Sequence, residues 1–172
     1  MSDQLARPGA HQGINRELSV FVDIKPGQAE VLRETLLKWF NKPEKLLDRI
    51  PTLHESRYVI LDDGKRLMFC TTYDGEWDKY IDDFASIGTE YFDDIFQYAV
   101  GWPGITNPEV KNYFVAHQIT ATTYARSYDA SVLQIKAALR LNEAFQQVLD
   151  DPAAAELFDH SAMKPLRDLA SD

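Results

Sequence analysis

Residues 50–85 read IPTLHESRYVILDDGKRLMFCTTYDGEWDKYIDDFA, and this stretch decides the fold. Glu55 to Leu61 alternates, with Arg57, Val59 and Leu61 on one face and Tyr58 and Ile60 on the other. That period of two is the mark of a strand. Asp62-Asp63-Gly64-Lys65 supplies a tight turn with glycine available for the left-handed position, and Arg66 to Tyr73 returns as the partner strand. Asp74 then has the chemistry of a helix N-cap, because a carboxylate accepts from the free N–H groups of a first turn. Trp77, Tyr80, Ile81, Phe84 and Ile87 follow at helical spacing, and Gly88 permits a break.

Working outward, Glu17 to Ile24 is rich in β-formers and sets Leu18, Val20, Val22 and Ile24 on one face. Lys25-Pro26-Gly27 ends it, and Gln28 to Phe40 repeats apolar residues as an amphipathic helix. Pro43 to Ile50 predicts a short helix with Leu46, Leu47 and Ile50 inward. Tyr91 to Val100 continues as helix after the Gly88 bend, and Glu109 to Gln118 forms another behind Pro108. Ile119 to Tyr128, rich in Thr and Tyr, reads as the last strand. Ser131 caps a long helix to Leu149 that buries Val132, Ile135, Leu139, Ala144, Phe145 and Val148.

The order is β-α-β-β-α-β-α: an α+β, ferredoxin-like antiparallel sheet with extra helices. Residues 1–16 are expected as a flexible N-terminal tail, 17–150 as the domain, and 151–172 as a docked helix or tail. Helices on one face leave the other bare, and apolar residues occur at both strand phases. Pairing two sheets in a homodimer would cover it.

Composition narrows the function classes. The 172 residues carry a formal net charge of −9, which repels phosphate backbones and argues against a nucleic-acid partner. No apolar run reaches the roughly 18 residues of a membrane span, and the polar first residues lack the apolar core of a secretory signal. A single cysteine, Cys70, excludes an intrachain disulfide and suits a reducing, cytoplasmic compartment. Mid-strand, it reads as a buried, inert thiol.

Candidate chemistry centres on few residues. His54 stands just before the second strand, where an imidazole could transfer protons or ligate iron. His117, at a helix end, is the other candidate catalytic histidine, and Tyr73 joins them as a proton donor. Tyr124, Arg126 and Tyr128 share one phase of the last strand, and Tyr58 could join them across the sheet. Such a Tyr/Arg set suits an aromatic or carboxylate-bearing ligand, and equally suits packing at a dimer interface. No metal-ligand spacing occurs, nor a phosphate loop or nucleophile elbow. Asp62-Asp63 and Asp82-Asp83 read as turn and surface chemistry.

A ferredoxin-like unit with both sheet faces apolar resembles the dimeric α/β-barrel superfamily, which includes small monooxygenases, polyketide cyclases, muconolactone isomerase-like enzymes and haem proteins related to chlorite dismutase. Leu53-His54, Arg57, Val59 to Asp63, Leu67, Phe69, Tyr73-Asp74-Gly75, Trp77 and Asp83-Phe84 are also similar to a pattern in poorly characterised bacterial proteins found near haem peroxidases or catalases. The resemblance implies a cofactor-independent enzyme acting on a hydrophobic, aromatic or polyketide-like molecule, as a cyclase, isomerase or monooxygenase. His54, Tyr73 and His117 would be catalytic, and Tyr58, Tyr124, Arg126 and Tyr128 would bind substrate. Two alternatives stay open: a haem protein with a histidine axial ligand, and a non-catalytic ligand-binding or partner module.

Overall fold

The computed structural model describes residues 7–43 and 46–170. The chain divides into two compact units, 1–132 and 133–172. In the first unit, strands β1 (His11–Gln12), β2 (Asn15–Asp23), β3 (Leu53–Leu61) and β4 (Arg66–Asp74) form one antiparallel sheet in the order β1-β2-β4-β3. Helix α1 (Ala29–Phe40) crosses from β2 to β3, and α2 (Trp77–Ile87), α3 (Thr89–Phe96) and α4 (Val110–His117) follow β4. The three long strands and their crossovers make the ferredoxin-like arrangement.

The expected hairpin forms between β3 and β4. Its turn places Asp62 and Asp63 as well as Gly64 at positive φ, which Asp tolerates better than most residues. Alternation then sorts the sheet. Leu18, Val20, Val22, Leu67, Phe69 and Tyr73 face the helices and are buried. Against them lies an aromatic layer: Phe84 sits 4.1 Å from Phe92 and 4.5 Å from Tyr80, ring centre to ring centre. Trp77, Tyr80 and Phe84 are therefore core, as their helical spacing predicts.

Several expectations change. Ile119–Tyr128 is not a strand. Its start pairs with β2 only as a bridge, Val20 to Gln118, supported by Ile119 N–H donating to the Ser19 carbonyl at 2.8 Å. The reason is competition along one edge. Residues 10–12 occupy the first part of β2's free edge and residues 98–100 the last part, where Val100 N–H donates to Asp23. Residues 7–16 are likewise no loose tail. Arg7 forks onto Asp78 at 2.8 and 3.1 Å, and Asn15 is fully buried; residues 1–6 lie outside the described residues.

Asp74 does not cap α2. Gly75, at φ 88°, turns the chain so that the helix starts at Trp77 with Glu76 at the cap position. Finally, the outer sheet face is not uniformly apolar: Glu17, Ser19, Cys70, Thr72, Glu55 and Arg57 occupy one end of it, and Phe21, Met68 and Val59 the other. Leu46–Arg49 forms the expected short helical turn, with Ile50 buried. The side chains of Leu46 and Leu47 lie outside the described residues.

The second unit holds most of α5 (Val132–Leu149), then α6 (Ala155–Phe158) and α7 (Lys164–Ala170). Phe145 meets Phe158 edge-on at 5.8 Å. Leu139 and Val148, expected inside, are 58% and 42% exposed. The following helices, of four and seven residues, are too short to cover one of eighteen. Among the described residues no helix is long and apolar enough to cross a membrane.

The aromatic layer should dominate stability. Phe84→Ala is expected to cost about 3–5 kcal/mol, whereas Leu141→Ala, 72% exposed, should stay within about 0.5 kcal/mol; urea unfolding of both variants measures the contrast.

Candidate functional site

The site grows from an irregularity in the hairpin. Glu55 pairs with Thr72, but Leu53 pairs with Tyr73, so His54 is the extra residue of a bulge. A bulge reverses the alternation and re-aims a side chain. Leu53 thereby enters the core, and His54 turns toward the end of β4, where its Nε2 lies 2.7 Å from Asp74 Oδ1. The register of β2 sets Asn15 opposite Asp74 from the other side, and Asn15 Nδ2 donates to the same carboxylate oxygen.

Asp74 Oδ2 accepts from the backbone N–H of Val132 at 2.7 Å. Its carboxylate thus joins three neighbouring strands in space to the start of α5. The His54 and Asp74 side chains keep only 7% and 11% of their surface exposed. On the far side of the imidazole, Arg126 Nη2 stands 3.2 Å from Nδ1. A guanidinium only donates, so Nδ1 is the acceptor and Nε2 carries the proton that points at Asp74. Asn15 Nδ2, 3.1 Å from Nε2, is then a neighbouring donor that shares the carboxylate with the ring.

Arg126 is held by its backbone. Its N–H donates to Gln12 Oε1 at 3.0 Å, and Gln12 Nε2 reaches back to its carbonyl at 3.5 Å. Close approach is possible because Gly13 has no side chain: a Cβ there would lie 2.5 Å from an Asp129 carboxylate oxygen. The Arg126 guanidinium lies 4.6 Å from the Tyr128 ring centre. Burial works against its charge, yet the nearby Tyr128 and Tyr124 phenols raise its pKa above the usual arginine value. The Arg126 guanidinium also lies against the Tyr124 phenol, and Nη1 and the Tyr124 hydroxyl are both buried.

Beside this cluster lies a cleft of about 320 Å³ on the outer sheet face, lined by Glu17, Ser19, Glu55 to Arg57, Cys70 to Thr72, Ala121, Thr123 and Tyr124. Tyr124 belongs to both the cleft and the cluster. Glu17 pins the cleft wall: Oε1 accepts from Ala10 N–H at 3.0 Å and Ala121 N–H at 2.9 Å, and Oε2 from the Ser19 hydroxyl at 2.7 Å.

The structure brings His54, Tyr124, Arg126 and Tyr128 together. It sets the other three candidates apart. Tyr73 faces the helices, stacked on Tyr80 at 3.8 Å, and burial raises its pKa. Tyr58 also faces the core, stacked on Phe69 at 4.7 Å, and burial, with Tyr91 adding, raises its pKa well above the ordinary value. His117 Nδ1 donates to the Tyr113 carbonyl of its own helix at 2.8 Å, and its ring packs on Tyr113. Asn15, Asp74 and Gln12 were not candidates from the sequence. Asp74 alone carried a signal, since counting back from the hairpin turn places it near His54. Among the described residues no cluster of three or more His, Cys, Asp or Glu could hold a metal ion.

No family profile matches the chain, and no curated protein matches it. A solved structure assigned as an antibiotic biosynthesis monooxygenase from Nitrosomonas europaea is similar over 54% of this chain and 86% of its own, at 14% identity and a TM-score of 0.41.

Asp74→Asn replaces a charge that accepts from three groups, and should cost about 2–4 kcal/mol. In ¹⁵N spectra of the parent protein, His54 Nδ1 is expected to report an unprotonated, hydrogen-bonded nitrogen and Nε2 a protonated one. The reverse tautomer would contradict the orientation derived above.

Proposed function

We propose that the chain is an enzyme of acid/base type acting on a small polar molecule bound in the outer-face cleft, with His54 as the proton-transfer residue. The observation that carries this reading is the convergence of His54, Arg126 and Tyr124 at the edge of the cleft that Tyr124 lines. A guanidinium and a phenol set together beside a cleft suit a ligand's acceptor atoms.

In this reading Arg126 has two roles. It accompanies the ligand's acceptor group through Nη1, and in shifting toward it withdraws Nη2 from His54 Nδ1. The freed lone pair is backed by Asp74, which holds Nε2–H and stabilises positive charge on the ring as a proton arrives. Tyr124 fixes the position of Arg126. The polar lining, with two carboxylates, a guanidinium and several hydroxyls, favours a polar ligand over the hydrophobic one that the family resemblance implied.

Haem fits these residues poorly. An axial histidine must offer a nitrogen lone pair to an open cavity. Both His54 nitrogens are engaged, and neither His54 nor His117 lines the cleft. Haem added to the purified protein is expected to give no histidine-ligated Soret band.

The main test works before any substrate has been identified. A chemically diverse set of small polar molecules is screened by NMR for binding that moves the Tyr124 and Arg126 signals. Hits are then incubated in D₂O to detect exchange of their acidic C–H protons. Arg126→Gln and Tyr124→Phe should weaken binding about tenfold. His54→Gln should bind but exchange at least a hundredfold more slowly. Binding with exchange indifferent to His54→Gln would overturn the catalytic role and leave a non-catalytic binding module.

A further inference from the structure

We infer that the ligand of the cleft is a small zwitterion, its carboxylate paired with Arg57 and its ammonium with Glu55; this rests on the reading of the cleft as the ligand site. Three charged side chains line the cleft: Glu17, Glu55 and Arg57. Glu17 is committed. Its two oxygens accept from Ala10, Ala121 and Ser19, and it is 5% exposed. Glu55 has one long contact, accepting from the Thr72 hydroxyl at 3.3 Å, which leaves its second oxygen open. Among the described residues Arg57 makes no hydrogen bond or ion pair.

The spacing matters as much as the availability. Glu55 and Arg57 sit two residues apart on one face of β3, opposite Thr72 and Cys70. That puts their backbones about 6.6 Å apart, and no ion pair joins them among the described residues. A simple anion on Arg57 would lie against the Glu55 carboxylate. A simple cation on Glu55 would lie against the guanidinium. A molecule with both charges a few bonds apart meets each with its opposite, and the planar fork of Arg57 suits a carboxylate in particular. A volume of about 320 Å³ corresponds to about ten water molecules, the size of an amino acid or dipeptide.

The test uses the full chain and three families of probe: L-alanine, L-phenylalanine and L-alanyl-L-alanine, each with its carboxamide and its N-acetyl counterpart. Binding is followed by amide shifts of Ser19, Thr72 and Thr123. The parent compounds should bind, and capping either charge should weaken binding at least tenfold. Arg57→Gln should erase the preference for acid over carboxamide while keeping discrimination against the N-acetyl form. Glu55→Gln should do the converse. Equal binding of capped and uncapped probes overturns the inference, as does no binding of any. If the diverse polar set shifts these amides while the zwitterions do not, the charge assignment fails and the cleft reading stands. If neither set does, both fail. Shifts of the same amides with protein concentration alone would mean that a second copy covers the face, and would also overturn the proposal.

Discussion

The buried carboxylate of Asp74 holds the candidate site of this molecule in place. It accepts from Asn15 on β2, from His54 on β3 and from the backbone of Val132 at the start of α5. An ionised group in so dry a position is stable only when its oxygens are satisfied. Three donors from three distant parts of the chain meet that demand. The result fixes the ring of His54, and through it the guanidinium of Arg126. Glu17 performs the same service one step further along the sheet, tying residues 10 and 121 to β2. Two inward-held carboxylates on the outer face thus tie residues 10, 121 and 132 to the sheet.

With no strand over Ile119–Tyr128, the candidate site gathers on this face. A regular strand over Ile119–Tyr128 would have satisfied its backbone against β2 and presented a closed edge. The irregular segment instead crosses above the polar end of the sheet and carries Tyr124 and Arg126 over it. The helix-facing side is filled by rings in contact, from Tyr58 and Phe69 to Trp102 and Phe114. The candidate site and the core lie on opposite faces of one sheet.

The hairpin, its turn and the aromatic stripe of α2 were legible because their patterns are local. Alternation and helical spacing report burial directly, and Val20, Phe69, Tyr80 and Phe84 are buried as their positions require. His54, Tyr124, Arg126 and Tyr128 were legible as candidates from residue type and position. Tyr58 and Tyr73 misled for a physical reason: a tyrosine in a strand has the same composition signal whether it faces a core or a cleft. Asn15 and Gln12 were silent, since each acts through a partner more than thirty residues away.

By itself, then, the amino-acid sequence determined the α+β class, the β3–β4 hairpin and the identity of the helix-facing core, because short-range periodicity and turn chemistry suffice for those. Tertiary structure alone decided the rest. It placed His54 through a one-residue bulge that no period reveals. It converted Asp74 from a helix cap into the hub of a buried network, because Gly75 turns the chain before the helix begins. It also dissolved the last strand, because the edge of β2 was already taken by residues from two other parts of the chain. Each of these outcomes depends on groups that meet only after folding.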